Sequence, residues 1–437
     1  MLPSTDPHTP AGDFSGSDAG RSRETTRLAS GDQTPGNNKA LSLEECIDVA
    51  LANNPRLAGK DWDAAAADAR RDVAAGQRWP ELAAEGAYRR SLDDRRLVPA
   101  RAPGEPGSWS SDTFSADLTV SMPLFTGGRI SSEISAADLA AEAAGNRHAR
   151  TRTELIFNVS SVFYGILGQR KVIESLEFSR QALEEQRQRI QDLLDAKKAA
   201  RVDLLRTEVR LADIDQELVK ARNTLAIQHR MLANLLGVRE RRGALRVAGE
   251  LALPQFEAHE SPVAFAYRQR DDYQAAEAEL KAQARRVDVA RAGHWPSVSL
   301  IGEYGGRWAE GDVNSQAGAD STEDVGSIGV VVDLPIFEGG RIDARIRREK
   351  AKLGSAQERL RELRLQIRED VRTALLNVQS SRERVRATEK SIEQARESLR
   401  IERNKYRLGK GTITDVLEAQ SALLGSETNH AQALAAY

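Results

Sequence analysis

Two rhythms of apolar and polar positions divide this chain, one helical and one with a period of two. Between residues 342 and 408 there is no proline, and apolar side chains fall at Ile346, Leu353, Leu360 and Ile367, then at Val371, Val378, Val385, Ile392 and Leu399. Both series run in sevens, the spacing that lays one stripe of a long helix against a neighbour. The step of four between Ile367 and Val371 is a stutter, which locally unwinds a coiled coil and lets a helix run straighter. At 1.5 Å per residue this segment extends about 100 Å. A matching helix is predicted over residues 130–195, with Val159, Ile166, Ile173, Leu176, Leu183 and Ile190 on its stripe. Its partner over 202–236 carries Leu204, Leu211, Leu218, Leu225 and Leu232 in an unbroken heptad. Elsewhere the period drops to two. Phe114, Ala116, Leu118, Val120 and Met122 alternate with Ser115, Asp117, Thr119 and Ser121, while Ile328, Val330, Val332 and Leu334 alternate with Gly329, Val331 and Asp333. These are strands. The pattern predicts strands at about 82–89, 114–124, 298–306 and 327–336, one hairpin in each half, across Gly-, Ser-, Asp- and Pro-containing loops at 93–112 and 307–324. The C-terminal strand of each hairpin has about the 9 to 11 residues that a tilted strand needs to cross a bilayer.

Comparison of the chain with itself shows why the two halves look alike. Gln77-Arg78-Trp79-Pro80 returns as Gly293-His294-Trp295-Pro296, 216 residues later. Pro123-Leu124-Phe125-Thr126-Gly127-Gly128-Arg129-Ile130 returns as Pro335-Ile336-Phe337-Glu338-Gly339-Gly340-Arg341-Ile342, at an offset of 212 that also relates Asp203 to Asp415. A constant offset means no net insertion along the helices. The change of four falls inside the hairpins, which marks their loops as the variable part of the unit. The chain thus reads as a segment 1–40 followed by two repeats, about 41–250 and 251–437. In each repeat the Gly-Gly pair (Gly127-Gly128 and Gly339-Gly340) marks the strand-to-helix turn and not a phosphate cradle, because it follows Pro-Leu/Ile-Phe at a strand end.

Composition removes several classes of function. There are 63 Lys plus Arg against 65 Asp plus Glu, a net charge of −2, so nothing resembles a basic nucleic-acid footprint. Mean hydropathy is −0.51, and no run approaches the roughly 20 apolar residues of a spanning helix. The one cysteine, Cys46, excludes a disulfide within the chain and a Cys-rich metal site. Residues 1–40 are rich in Ser, Thr, Asp, Gly and Pro with few large apolar groups, and are expected to be disordered. They show no charged start followed by an apolar stretch, so no signal peptide is visible in the sequence as it stands. Six histidines form no i, i+3 or i, i+4 pair, and there is no His-Glu-x-x-His, Gly-x-Ser-x-Gly or phosphate loop. The reading is of a protein that is not an enzyme and calls for no cofactor or metal.

Four strands cannot close a barrel, since about eight is the smallest number that fills its own interior, and an open sheet leaves edges that pair promiscuously. Several copies must contribute; two, three or four would give 8, 12 or 16 strands. The duplicated Trp-Pro and Pro-Leu/Ile-Phe-x-Gly-Gly-Arg-Ile turns, together with Gly409-x-x-x-x-Thr414-Asp415-Val416-Leu417-Glu418-Ala419-Gln420, resemble the TolC family of outer-membrane efflux ducts over about residues 41–437. The fold class is accordingly mainly α with a pair of β-hairpins. The resemblance implies a homotrimer in which four strands per chain build a 12-stranded transmembrane β-barrel in the outer-membrane lipid. Duplicated long coiled-coil helices would form an α-barrel tunnel through the periplasm. It also implies docking, through the far tip, with a periplasmic adaptor protein and an inner-membrane transporter.

The tip residues follow from the same resemblance. Asp415 and Glu418 would face the lumen at the narrowest point as acidic rings that favour cations, with Tyr406 in the closing network. From the residues alone, Thr412-x-x-Asp415 is a capping box and Gly409 a helix stop, which explains Asp415 without a pore. The turn residues Leu408, Gly409 and Lys410 and, in the first repeat, Lys197 and Lys198 would contact the adaptor; a solvated lysine pair at a helix end is the plain alternative. Gly411 stands where relatives usually carry a basic residue, and Lys410 is the available substitute. The function implied is a passive exit duct of a tripartite pump for small molecules. A type I protein-secretion duct is the alternative within the class, and a soluble trimeric coiled-coil scaffold the alternative outside it.

Overall fold

The computed structural model describes residues 40–100, 102–238, 246–253, 260–309, 314–316 and 322–437. The segment read as disordered lies outside the described residues except for Ala40, which is not loop: it opens a two-residue strand, β1 (Ala40–Leu41), parallel to β4 (Arg246–Val247). The helices are α1 (Leu43–Asn53), α2 (Pro55–Gly76), α3 (Arg129–Asp195), α4 (Arg201–Leu235), α5 (Pro262–Gln269), α6 (Asp271–Ala292), α7 (Arg341–Arg407) and α8 (Ile413–Ala436). The remaining strands are β2 (Glu81–Arg96), β3 (Ser108–Phe125), β5 (Ser297–Ala309), β6 (Asn314–Ser315) and β7 (Thr322–Asp333).

The two hairpins are not separate. β3 pairs antiparallel with β5, from Thr113 opposite Ala309 to Phe125 opposite Val298, so the main path is one sheet in the order β2-β3-β5-β7. This join lies between residues about 190 apart in sequence, which alternation cannot reveal. The strands of the first hairpin run past the predicted ends to Arg96 and back from Ser108, with a register shift between Arg90 and Arg95. Arg96 holds this extension by lying over the Trp109 ring and donating to the Glu105 and Pro106 carbonyls. β7, in contrast, stops at Asp333 and not at residue 336. Pro335 has no N–H to give, and β7 has a partner on one side only, whereas β3 continues through its own Pro123, which lies opposite Ser299 of β5, to Phe125.

Helices α3 and α7 are each 67 residues long, and α3 changes partners half-way. Its first half meets α2, where His148 faces Asp61 at 3.0 Å, and α6, where Arg147 pairs with Glu279. Its second half packs on α4 and α8. α7 likewise passes from α6 to α8: Ile367 and, past the stutter, Val371 pack on the α6 side with Tyr273, and further on Thr388 meets His430 of α8 at 3.0 Å. The buried residues Leu183, Ile190, Ile214 and Ile413 meet in one core, each contributing roughly 1.5–3 kcal/mol. Near the middle of α3 a second core gathers Cys46, Val159, Phe163, Ile166, Leu232 and Leu236 under α1. Burial there pushes the Cys46 thiol up to about 11, which leaves it an unreactive filler.

Candidate functional site at the tip and the sheet

Each long helix ends in the same turn. At the end of α7 the Gly409 N–H donates to the Tyr406 carbonyl (3.0 Å) and the Lys410 N–H to that of Lys405 (2.9 Å), with Gly409 at φ 69°. At the end of α3 the Lys197 N–H donates to Leu194 (2.9 Å) and Lys198 to Leu193 (2.7 Å), with Lys197 at φ 60°. Both are Schellman closures, and the first is made without glycine. The strand-to-helix turns also repeat: Gly127 and Gly128 have φ 61° and 83°, Gly339 and Gly340 have 62° and 80°. A side chain at Gly127 would run into Trp295, which joins the two repeats at the foot of the sheet.

Thr412 and Asp415 form the capping box that opens α8. The Thr412 N–H and hydroxyl both reach Asp415 Oδ2, at 2.9 and 2.8 Å, and the Asp415 N–H returns to Thr412 Oγ1 at 3.3 Å. These bonds, with the ammonium of Lys405 nearby, hold the Asp415 carboxyl below its usual range. Asp415 is therefore a cap in this chain whatever else it does. At 100° per residue Asp415 and Glu418 share a stripe of α8 with Ala422 and Gly425, and Glu418 is exposed on it. The opposite face of α8 carries Gln420, Leu424 and Glu427, which line a groove with Phe178, Arg189 and Arg403. Burial, and then the facing Arg189, lowers the proton affinity of Arg403.

Tyr406 is half-buried on the same tip core that Ala199, Leu204 and Leu211 of the first repeat pack against. Burial and then the charge of Asp203 raise its phenol pKa. Tyr406 thus bridges the two turns. Leu408, Lys410, Lys197 and Lys198 are exposed at the turns. Gly411 has little room: a Cβ there would lie 3.0 Å from that of Lys405. Sequence reasoning missed Arg206, whose Nη1 donates to Thr414 Oγ1 at 2.7 Å across the repeats. The offset of 212 sets Arg206 opposite Glu418, but that correspondence does not point to Thr414.

The sheet has one apolar and one polar face. Tyr88, Phe114 and Trp308 form a row across three strands, with ring centroids 4.9 and 5.7 Å apart, and Leu118, Val120, Ile328, Val330 and Val332 continue that face. On the other face Arg307 pairs with Asp117 and, at 3.1 Å, with Glu303. Ile328 is 79% exposed in the single chain and Val332 63%, so this apolar face is uncovered. Among the described residues no helix is long and apolar enough to cross a membrane, and no group of three acidic, His or Cys side chains could hold a metal.

Residues 46–238 and 266–437 match the family model described as outer membrane efflux protein. The chain belongs to that family. An outer membrane efflux protein is a duct of the outer membrane with a helical tunnel in the periplasm, and the uncovered apolar sheet face and the long helices are the two parts of that design. Outer membrane protein TolC of Vibrio cholerae is 23% identical over 89% of this chain and 86% of its own length. Nodulation protein T of Rhizobium leguminosarum bv. trifolii is 28% identical, but over 54% of this chain, which spans half of that relative. The proteases secretion protein PrtF of Dickeya chrysanthemi is 24% identical over 58% of the chain and 55% of its own length. Among solved structures, the outer-membrane channel OprN superposes with a TM-score of 0.75 at 24% identity, covering 90% of this chain and 86% of that one. The outer membrane protein VceC of Vibrio cholerae gives 0.75 at 19%, covering 90% and 92%. These two show the fold.

Proposed function

We propose that this outer membrane efflux protein is the exit duct of a tripartite pump for small, mainly cationic or amphipathic molecules. It works as a homotrimer with a periplasmic adaptor and an inner-membrane transporter that supplies the energy. The observation that carries this reading is the stripe of Asp415 and Glu418 on the open face of α8 at the tip. Three copies would put two rings of carboxylates at the intake end, which draw cations and resist anions. Support also comes from the sheet, whose outer strands β2 and β7 each have a single main partner within the chain. Pairing β7 of one copy with β2 of the next closes twelve strands, turns the apolar row toward lipid and encloses the Asp117–Arg307 face in water.

The test is single-channel recording of the full-length trimer carrying Asp415→Ala and Glu418→Ala. Reduced cation selectivity is the expected result, and selectivity equal to that of the unaltered channel would sink the lumen assignment. Exposed Lys197, Lys198 and Lys410 are proposed adaptor contacts; reversing their charges should weaken adaptor capture while the trimer persists. The likeness to PrtF favours a second reading, a duct for secreted protein. Deleting the gene and assaying both drug susceptibility and secreted protein separates the two cargoes.

A further inference from the structure

The repeat puts unlike charges at like places. Asp203 on α4 corresponds to Asp415 on α8, but Arg206 corresponds to Glu418. Arg206 is also held: its Nη1 donates to the hydroxyl of Thr414, the residue before Asp415 and one helical turn before Glu418. The guanidinium therefore borders the acidic stripe from the side of the first repeat. Tyr406 of α7 and Leu204 and Leu211 of α4 all pack on the tip core that contains Ile413, Val416 and Leu417 of α8, so α4 and α8 share one core at this end.

We propose that Arg206 is a specificity-determining residue of the constriction, a fixed cation between the acidic side chains that tempers their preference for cations and ties α4 to α8. The proposal rests on the reading of Asp415 and Glu418 as pore-lining. In a closed trimer the acid stripes of α8 and the Arg206 side chains of α4 alternate around the opening. Each acidic stripe is then flanked by a positive charge, and the constriction is patterned instead of uniformly negative. Arginine suits the role because its fork has five donors: one satisfies Thr414, and others are left to meet carboxylates or cargo acceptors. A unit charge roughly 8 Å from a permeating ion in water changes its local concentration about twofold.

The experiment uses the full-length trimer in planar bilayers under a potassium chloride gradient, with heat-modifiability on a gel showing that each variant is assembled. Arg206→Gln should raise the potassium-to-chloride permeability ratio about twofold, and Arg206→Glu further. Thr414→Ala keeps the charge and removes its anchor, so the ratio should stay within that range while the open current becomes larger and noisier. Assembled R206Q and R206E trimers with an unchanged reversal potential would overturn the proposal. Asp415→Asn with Glu418→Gln is recorded in parallel. If those change the ratio and the Arg206 variants do not, the constriction stands and the role of Arg206 falls; if neither set changes it, the constriction reading falls too.

Discussion

The two tip turns have the same backbone and different side chains, and the contrast separates what a helix stop requires from what this site adds. Each long helix is closed by the same pair of i→i−5 and i→i−3 hydrogen bonds and a residue near φ 65°. The second repeat fills that position with Gly409 and follows it with the Thr412–Asp415 box. The first fills it with Lys197, and α4, with Ala200 at its N-cap position, has no side-chain cap. Closure is therefore a property of the backbone path that glycine makes easier but does not cause. The better-built turn is the one that precedes the acidic stripe. A cap fixes where α8 begins, and hence the direction in which Asp415 and Glu418 point.

Substitutions that exchange the features of the two turns break this contrast, and the largest effect is expected at Gly409. Gly409→Lys forces a side chain into the left-handed region and should cost about 1–2 kcal/mol at this turn, read as faster amide exchange over residues 405–416. No change in exchange would mean that the turn tolerates lysine as the first repeat does. Thr412→Ala removes the acceptor for the Asp415 N–H and should cost about 1 kcal/mol, seen in the exchange of the first turn of α8. In the other direction, Lys197→Gly should stabilise the end of α3 by roughly 0.5–1 kcal/mol, unless Lys197 makes a contact in the assembly that outweighs its strain. The smallest effect concerns pH. The Asp415 carboxyl is held below its ordinary value in the folded tip, so its contribution is complete above the unfolded carboxylate range and is lost as pH falls through the folded value. Thermal scans from neutral to acidic pH should show a shallower acid limb for Asp415→Asn, and a parallel shift at all pH values would contradict the sign.

Much of the architecture is legible in the chain because long helices are local objects. The heptads at Leu360, Ile367, Val385 and Leu399 give the buried stripe of α7, and the repeated Gly-Gly turns give the start of both long helices. Helices α1, α2, α5 and α6 are less visible. Their stripes are short and rich in alanine, as with Ala275, Ala278 and Ala282, and alanine carries little periodic signal. At the tip the sequence identifies Asp415 as a cap through Thr412, while Arg206 stays hidden because its partner Thr414 is 208 residues away.

By itself the sequence determined the duplication, the two periods, the long helices and the turns that end them, since each depends on spacing within one element. Only the tertiary structure decided that β3 joins β5 into one sheet, that α3 and α7 exchange partners along their length, and that Arg206 reaches Thr414. Those are choices among distant partners of similar chemistry, made by the packing of the whole wall and not by any local preference of the chain.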